Sequence, residues 1–367
     1  MNSGDQLAGL LADDAPWPAT ASAWEALLAQ ARRASLSARL GHRLLGTVGD
    51  RAMPNGARTL LQSALTVCEH VAVTKPVEVR RAAQALARRG VPCVLLKGAA
   101  YLLAGLPPAR FRVFGDMDLL VPQASLSLAE GALLAGGWIS TDLGAYNQHY
   151  YREWMHEIPP LTHARRGSVI DLHHTITPPT STFTVDGAKL LKKVRPIDEE
   201  RGLWMLQPVD MVLHSAVHLF TEGEFDRGLR DLLDMDDLLR HFEAHEPGFW
   251  ADLVARAAEL GLRRPLYYAL SHIERLFGMR VPDTQRAAVE AMRPAWPQQA
   301  LMAWLLTVVL RPNHPSCLAA GDGLARWLLF VRSHWLRMPP RLLIPHLVRK
   351  AWIARFPQVR DAVQDVK

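Results

Sequence analysis

The chain has 367 residues, of which 49% are hydrophobic and 21% are charged. These ordinary globular proportions exclude a disordered chain, a collagen-like repeat and a small disulfide-stabilised module, and the length predicts two domains or three small ones. The 42 lysines and arginines against 36 acids give a net charge of +6, a mild excess that indicates an anionic partner without identifying it.

The cysteines and the apolar segments indicate the compartment. Cys68, Cys93 and Cys317 are far apart and form no CxxC pair, so a disulfide framework or a structural zinc site is not expected. The N-terminus carries acids where a signal peptide would carry lysine or arginine. The longest apolar run, residues 300–310, is shorter than the roughly 20 residues that cross a bilayer. We therefore expect a cytoplasmic protein.

The elements are predicted in chain order as helices, a small α/β region, and helices again. Residues 1–90 have apolar residues at helical spacing, interrupted by prolines. From position 91, VPCVLL predicts a strand, YLLAGL a helix, GDMDLLV a second strand, and residues 123–136 a helix. HEIPPLTHA and SVIDLHHTI, separated by a short turn that ends in Gly167, predict a hairpin.

The pattern becomes helical again from Pro208 to the end. We therefore expect an α+β fold with three parts. These are a helical segment over residues 1–90, an α/β core over 91–205, and a helical domain with a basic, tryptophan-rich tail over 206–367.

Two aspartates in GDMDLLV carry the most specific chemical signal. Side chains alternate along a strand, so Asp116 and Asp118 share one face while Met117 and Leu119 share the other. Two carboxylates that close together repel each other unless water or a cation compensates. Oxygen ligands favour Mg²⁺ or Mn²⁺. The alternative for an isolated DxD is a solvated strand edge.

A third carboxylate favours the metal interpretation. Asp171, in SVIDLHHTI, is expected in a neighbouring strand of the same small sheet. Three carboxylates on adjacent strands can hold two metal ions, which stabilise the attacking and leaving oxygens of a phosphoryl transfer.

The order LLKGAA, then R-x-x-GDMDLLV, then a hairpin ending in IDLHH resembles the nucleotidyltransferases of the DNA polymerase β superfamily. The chain is most similar to an uncharacterised bacterial branch related to antibiotic-modifying nucleotidyltransferases. That branch continues with an HxxxH helix and an RLxxLxD-like helix, which match His214 to His218 and Arg227 to Asp236 here. The resemblance covers roughly residues 91–242.

The resemblance implies a minimal polymerase-β-like core, a small mixed sheet with helices, flanked by helical segments. Asp116 and Asp118 would be the metal-binding pair. Asp171 would be the third carboxylate, which helps activate the acceptor hydroxyl. The cofactors implied are two Mg²⁺ (or Mn²⁺) ions, with a nucleoside triphosphate as donor.

The resemblance also implies residues around the triphosphate. Gly98 would lie beneath it, and Gly115 directly precedes the metal-binding pair. The superfamily usually has serine after the first glycine, whereas this chain has Ala99. Backbone N–H groups or the cations of Lys97 and Arg112 must then hold the phosphates. For Lys97, a lysine that merely extends from a strand end to solvent is an equal alternative.

Several histidines and a charged helix have more than one interpretation. His173 shares a strand face with Asp171 and is expected near the same site, or is a structural histidine. His214 and His218 are spaced for zinc, but no glutamate follows the first, so a core or nucleotide-contacting helix is expected. The arginines and aspartates of residues 227–236 fit a salt-bridged amphipathic helix, or a helix that lends Arg227 or Asp234 to the site.

The basic tail has no acidic residue between Asp322 and Asp361, and its arginines alternate with Trp327, Trp335 and Trp352. Over residues 324–360 it fits an anionic membrane surface, a partner protein, RNA, or simply a terminal helical subdomain.

The expected reaction is transfer of a nucleoside monophosphate from a triphosphate to an acceptor hydroxyl of a small molecule or peptide. Two alternatives are a toxin-like enzyme acting on a protein or tRNA, and a silent nucleotide-binding scaffold. The acceptor, the nucleotide and the oligomeric state are not determined by the sequence.

Overall fold

A computed structural model describes residues 6–12, 15–46, 53–140 and 144–355. They divide into two compact units. We call the first, within residues 1–76, 101–114 and 208–330, the helical unit, and the second, within residues 77–100, 115–207 and 331–367, the sheet unit.

The predicted helical start of the chain is confirmed over the described residues. The helices are α1 (Gln6–Leu11), α2 (Ala21–Arg33), α3 (Ser37–Leu45) and α4 (Asn55–Ala87). The Thr20 hydroxyl accepts a hydrogen bond from the Ala23 N–H and so caps α2. Leucines and alanines of α1 to α3 form a cluster with Leu229 and Leu233, because their apolar faces need a partner to leave water.

The sheet unit contains one mixed seven-stranded sheet, and its strands lie between Cys93 and Met205. They are β1 (Cys93–Leu95), β2 (Asp116–Leu120), β3 (Trp138–Ser140), β4 (Leu161–His163), β5 (Val169–His173), β6 (Arg195–Asp198) and β7 (Leu203–Met205). The order is β3-β4-β5-β2-β1-β7-β6. β5 runs parallel to β2, and β1 runs antiparallel to it. The expected α+β fold is confirmed.

Shorter helices separate the strands. They are α5 (Lys97–Leu103), α6 (Leu126–Ala135), α7 (Gly144–Trp154) and α8 (Gly187–Leu191), with 3-10 turns at Pro107–Phe111 and Gln123–Ser125. The predicted helix after the first strand starts earlier than expected, at Lys97. The predicted hairpin is confirmed for β4 and β5, and Gly167 takes the left-handed φ of +67° in its turn.

The remaining helices begin at Pro208, where the sequence pattern predicts them. They are α9 (Pro208–Glu222), α10 (Gly228–His245), α11 (Phe249–Glu259), α12 (Arg263–Phe277), α13 (Asp283–Glu290), α14 (Trp296–Val309), α15 (Asp322–Arg337) and α16 (Pro340–Arg355). In the helical unit, α9 is the central helix and packs against α10, α11 and α12. Among the described helices, none combines the length and apolarity needed to cross a membrane.

Candidate active site

The three predicted carboxylates lie on the parallel pair β2 and β5. The register places Asp118 opposite Asp171, and Asp116 lies two residues before Asp118 on the same strand face. Met117 and Leu119 are fully buried on the other face, and this apolar alternation fixes which way the aspartates point. The two aspartate-bearing strands are therefore neighbours in the sheet, as the sequence predicts.

His173 lies at the end of β5 on the carboxylate side. Its Nε2 is 3.2 Å from Asp118 Oδ1 and 3.4 Å from Glu157 Oε2. Burial alone would lower the pKa of His173, but the hydrogen bond to Asp118 and the charge of Glu157 outweigh it and raise the pKa. His174 points away, with Nε2 3.2 Å from the Met155 carbonyl oxygen. The two histidines therefore point to opposite sides of the strand.

Glu157 is a member of this cluster that the sequence reasoning missed. It forms an isolated antiparallel bridge with His173, next to a hydrogen bond from the His174 N–H to the His156 carbonyl. Pro159 then follows, and it lacks the N–H that a continuous strand needs. The sequence feature that could have identified Glu157 is an acid in an extended segment, just before two prolines, in the hairpin partner of the IDLHH strand.

Asp171 shows the electrostatic consequence of this arrangement. Burial, followed by the charges of Glu157 and Asp118, raises the pKa of Asp171 to about 7. Its Oδ1 is buried without a hydrogen-bond partner, and it forms no ion pair within the described ranges. A carboxylate with repelling neighbours and an unused oxygen is suited to bind a cation.

Lys97 and Gly98 begin α5, directly after β1. The Leu96 N–H donates to the Asp118 carbonyl oxygen at 3.0 Å, which places the start of α5 beside the aspartate strand. Lys97 has a φ of +41°, a left-handed conformation that costs a non-glycine residue on the order of 1 kcal/mol and often occurs at functional sites. The positive charge of Lys97 lowers the pKa of His173. Lys97 is thus a cation close to the cluster.

Gly98 and Gly115 have different surroundings. Gly98 is buried in the first turn of α5, whereas Gly115 is exposed and has open space around the position of a side chain. Packing around Gly115 therefore does not require glycine.

Arg112 belongs to the helical unit and has a carboxylate partner there. Its guanidinium contacts Asp234 and lies 3.7 Å from Asp231 on α10, although its Nε has no hydrogen-bond partner in the part of the chain that the structure describes. Burial opposes ionisation of Asp231, but the charges of Arg230 and Arg112 outweigh it and lower the pKa of Asp231. α10 is therefore salt-bridged, as one of the two interpretations expects, while the phosphate role of Arg112 stays a prediction.

The HxxxH helix is also partly internal. His214 is buried in α9, and His218 Nδ1 lies 2.6 Å from Glu222. His218 also borders a cavity of about 790 Å³ within the helical unit. The cavity is lined further by Arg227, Arg230, Trp327 and Phe330, among others.

The basic tail exposes tryptophans over its described part. Trp327 and Trp335 on α15 and Trp352 on α16 have 58%, 59% and 48% of their surface exposed. Within the sheet unit, Arg349 and Lys350 lie over aromatic rings of α7. Arg360 lies outside the described residues. The partner of this tail stays a prediction.

A family model described as "Uncharacterised nucleotidyltransferase" matches residues 20–278, more than half of the chain. The matched range contains all of the predicted site residues, so the resemblance to nucleotidyltransferases is confirmed. The superfamily and the bacterial branch stay predictions. No curated protein matches the chain.

Proposed function

The chain belongs to the family of uncharacterised nucleotidyltransferases, and from that premise we propose that it transfers a nucleoside monophosphate from a nucleoside triphosphate to an acceptor hydroxyl. In this reaction the acceptor oxygen bonds to the α-phosphorus. The bond from the α-phosphorus to the oxygen that bridges to the β-phosphate breaks, and pyrophosphate leaves.

The observation that carries the proposal is the register of Asp118 with Asp171. It brings Asp116, Asp118 and Asp171 onto one face of a parallel strand pair, where a buried oxygen of Asp171 has no hydrogen-bond partner among the residues described. An oxygen-only donor set beside mutually repelling charges fits Mg²⁺ or Mn²⁺. When bound, such ions neutralise triphosphate charge and make an acceptor hydroxyl easier to deprotonate.

Each protein group has a role in the proposal. Asp116 and Asp118 hold the ions, and Asp171 completes the set and helps activate the acceptor hydroxyl. Lys97 is the nearby cation for a phosphate oxygen, and the backbone around Gly98 lies at the same end of β1. His173 orients Asp118 through the contact of Nε2 with Oδ1.

Thermal melting with each nucleoside triphosphate, with and without Mg²⁺, tests the proposal without knowledge of the acceptor. Ligand that binds the native state adds about 2.7 kcal/mol of stability at a hundredfold excess over Kd. We expect a Mg²⁺-dependent rise in Tm for the wild type, and none for a variant with Asp116→Ala and Asp118→Ala.

Asp198→Ala is the matched control, because Asp198 ends the edge strand β6 of the same sheet and pairs with Arg201. It should keep the nucleotide effect. A double aspartate variant that keeps the wild-type rise would refute the assignment. Absence of a rise with every nucleotide would count against nucleotide binding, and so against both the transferase and the silent nucleotide-binding scaffold.

A further inference from the structure

Beside the proposed magnesium ligands lies a group with different donor atoms. His156, Glu157 and His173 each offer one ligand atom, and these three atoms lie within 4.8 Å of one another. The two imidazole rings have centroids 5.2 Å apart. The proposed function uses neither His156 nor Glu157.

The spacing around His173 suits a shared ion. Two atoms about 2.1 Å from one ion, at about 90° to 109°, are about 3.0 to 3.4 Å apart. His173 Nε2 lies 3.2 Å from Asp118 Oδ1 and 3.4 Å from Glu157 Oε2. One N–H can point at only one of these oxygens, whereas a metal ion binds several donors at once.

The group is enclosed rather than a solvated surface cluster. His156 and His173 have 7% and 3% of their surface exposed, and the Glu157 side chain has 20%. In addition, His173 Nδ1 is buried and has no hydrogen-bond partner among the described residues. Hydrogen bonding within the folded chain therefore leaves this ring incompletely satisfied.

The backbone fixes the position of Glu157 relative to His173. Glu157 pairs with His173 in the antiparallel bridge, and the Ile158 N–H donates to the Leu172 carbonyl oxygen at 3.0 Å. Main-chain bonds therefore fix two ligands relative to each other before any ion binds. Pre-positioned ligands of this kind favour binding because little ordering remains to be done.

We propose that His156, Glu157 and His173 bind a divalent first-row transition-metal ion, at a site separate in ligand type from the aspartate set. Imidazole nitrogens suit zinc, iron, nickel or copper, whereas Mg²⁺ prefers oxygen donors alone. The two-histidine, one-carboxylate set leaves coordination positions for water. The site binds its ion independently of nucleotide transfer.

The test is titration of Co²⁺ into the metal-free full-length protein, followed by visible absorption. Co²⁺ replaces zinc-type ions and reports nitrogen ligands through its d–d bands. We expect one Co²⁺ bound per chain, displaced by Zn²⁺ but not by a large excess of Mg²⁺. His156→Asn and Glu157→Gln should each weaken binding by at least about 100-fold.

His149→Asn is the control for adventitious binding, because His149 is an exposed histidine of the sheet unit. It should bind Co²⁺ like the wild type. Far-UV circular dichroism and urea midpoints verify that each variant is folded, and the near-isosteric Glu157→Gln keeps the test valid if His156→Asn does not fold.

The proposal is overturned if the wild type gives no Co²⁺ bands, if Mg²⁺ displaces Co²⁺ at similar concentration, or if folded Glu157→Gln binds Co²⁺ normally. Asp116→Ala separates this site from the proposed function. It should lose the nucleotide effect and keep the Co²⁺ bands, so either proposal can fail alone.

Discussion

Asp234 in the helical unit and Asp171 in the sheet unit are both carboxylates withdrawn from water, but their neighbours carry opposite charges. Asp234 contacts Arg112. In the same unit, Asp210 is fully buried and its Oδ1 is 2.7 Å from Arg256 Nε. Burial raises the pKa of both Asp234 and Asp171. Arginine charges oppose the rise for Asp234, whereas the charges of Glu157 and Asp118 add to it and bring the pKa of Asp171 to about 7.

The difference distinguishes acids that stabilise the fold from acids that are suited to bind a cation. A buried carboxylate with an arginine partner is needed for the stability of the fold, because loss of one partner leaves an uncompensated buried charge. A carboxylate among like charges destabilises the fold until a cation or a proton arrives. The second arrangement is typical of ligand-binding sites, and it supports the placement of the proposed site in the sheet unit.

Replacement of one acid in each unit should give the largest contrast in the free energy of unfolding. Asp234→Asn removes the carboxylate that Arg112 contacts and leaves it only Asp231 at 3.7 Å, so we expect a loss of about 3 to 5 kcal/mol in the free energy of unfolding. Asp118→Asn removes a repelling charge, so we expect a change within about 1 kcal/mol. Urea denaturation at pH 8 without metal measures both. Equal losses would show that the comparison is wrong.

The second test uses pH. The folded-state pKa of Asp171, about 7, exceeds its ordinary value of 3.8, so the folded protein binds the extra proton between these values. The contribution of the protonated Asp171 to the free energy of unfolding is therefore fully present below about pH 4 and is lost as the pH rises through about 7. This amounts to at most about 4 kcal/mol.

Urea denaturation from pH 4 to pH 8 without metal measures that loss. Asp171→Asn should lack it, and should gain stability relative to the wild type as pH rises. Asp198→Asn, which removes an acid that pairs with Arg201, serves as control and should follow the wild type. Parallel curves for the wild type and Asp171→Asn would contradict the elevated pKa.

Glu157→Gln sharpens the comparison by removal of one repelling charge. Since Glu157 is the largest charge effect on Asp171 after burial, the pKa of Asp171 should fall. Metal-free stability at pH 8 should rise by about 1 kcal/mol. Carboxyl ¹³C NMR follows Asp171 directly. Glu130→Gln, on α6 and paired with Arg152, should leave the titration of Asp171 unchanged.

Local patterns were enough to predict the elements that position the aspartates. Alternation in GDMDLLV predicted β2 and the shared face of Asp116 and Asp118, and Pro208 marked the start of α9. β6 was not predicted as a strand, because Pro196 and an exposed arginine give it no alternation. β7 has three residues, which is too short to show a period of two.

Contacts distant in the sequence were the part that could not be predicted. Arg112 and Asp234 are 122 residues apart, and nothing local to Arg112 indicates that partner. Glu157 joins the cluster through a single bridge to His173, which depends on the sheet register. A sequence gives which faces are polar, but register and tertiary packing decide which polar groups meet.

The smallest expected effect concerns Lys97, the cation beside the acidic cluster. Its charge lowers the pKa of His173, so Lys97→Met should raise that pKa, with an energetic effect below about 1 kcal/mol. NMR titration of the His173 imidazole C–H signals measures it in the metal-free protein. Lys193→Met removes an exposed lysine after α8 and should leave the titration unchanged. An unchanged or lowered pKa in Lys97→Met would mean that the lysine extends to solvent. The phosphate-binding role would then fall to the backbone around Gly98 and to Arg112, the other predicted cation.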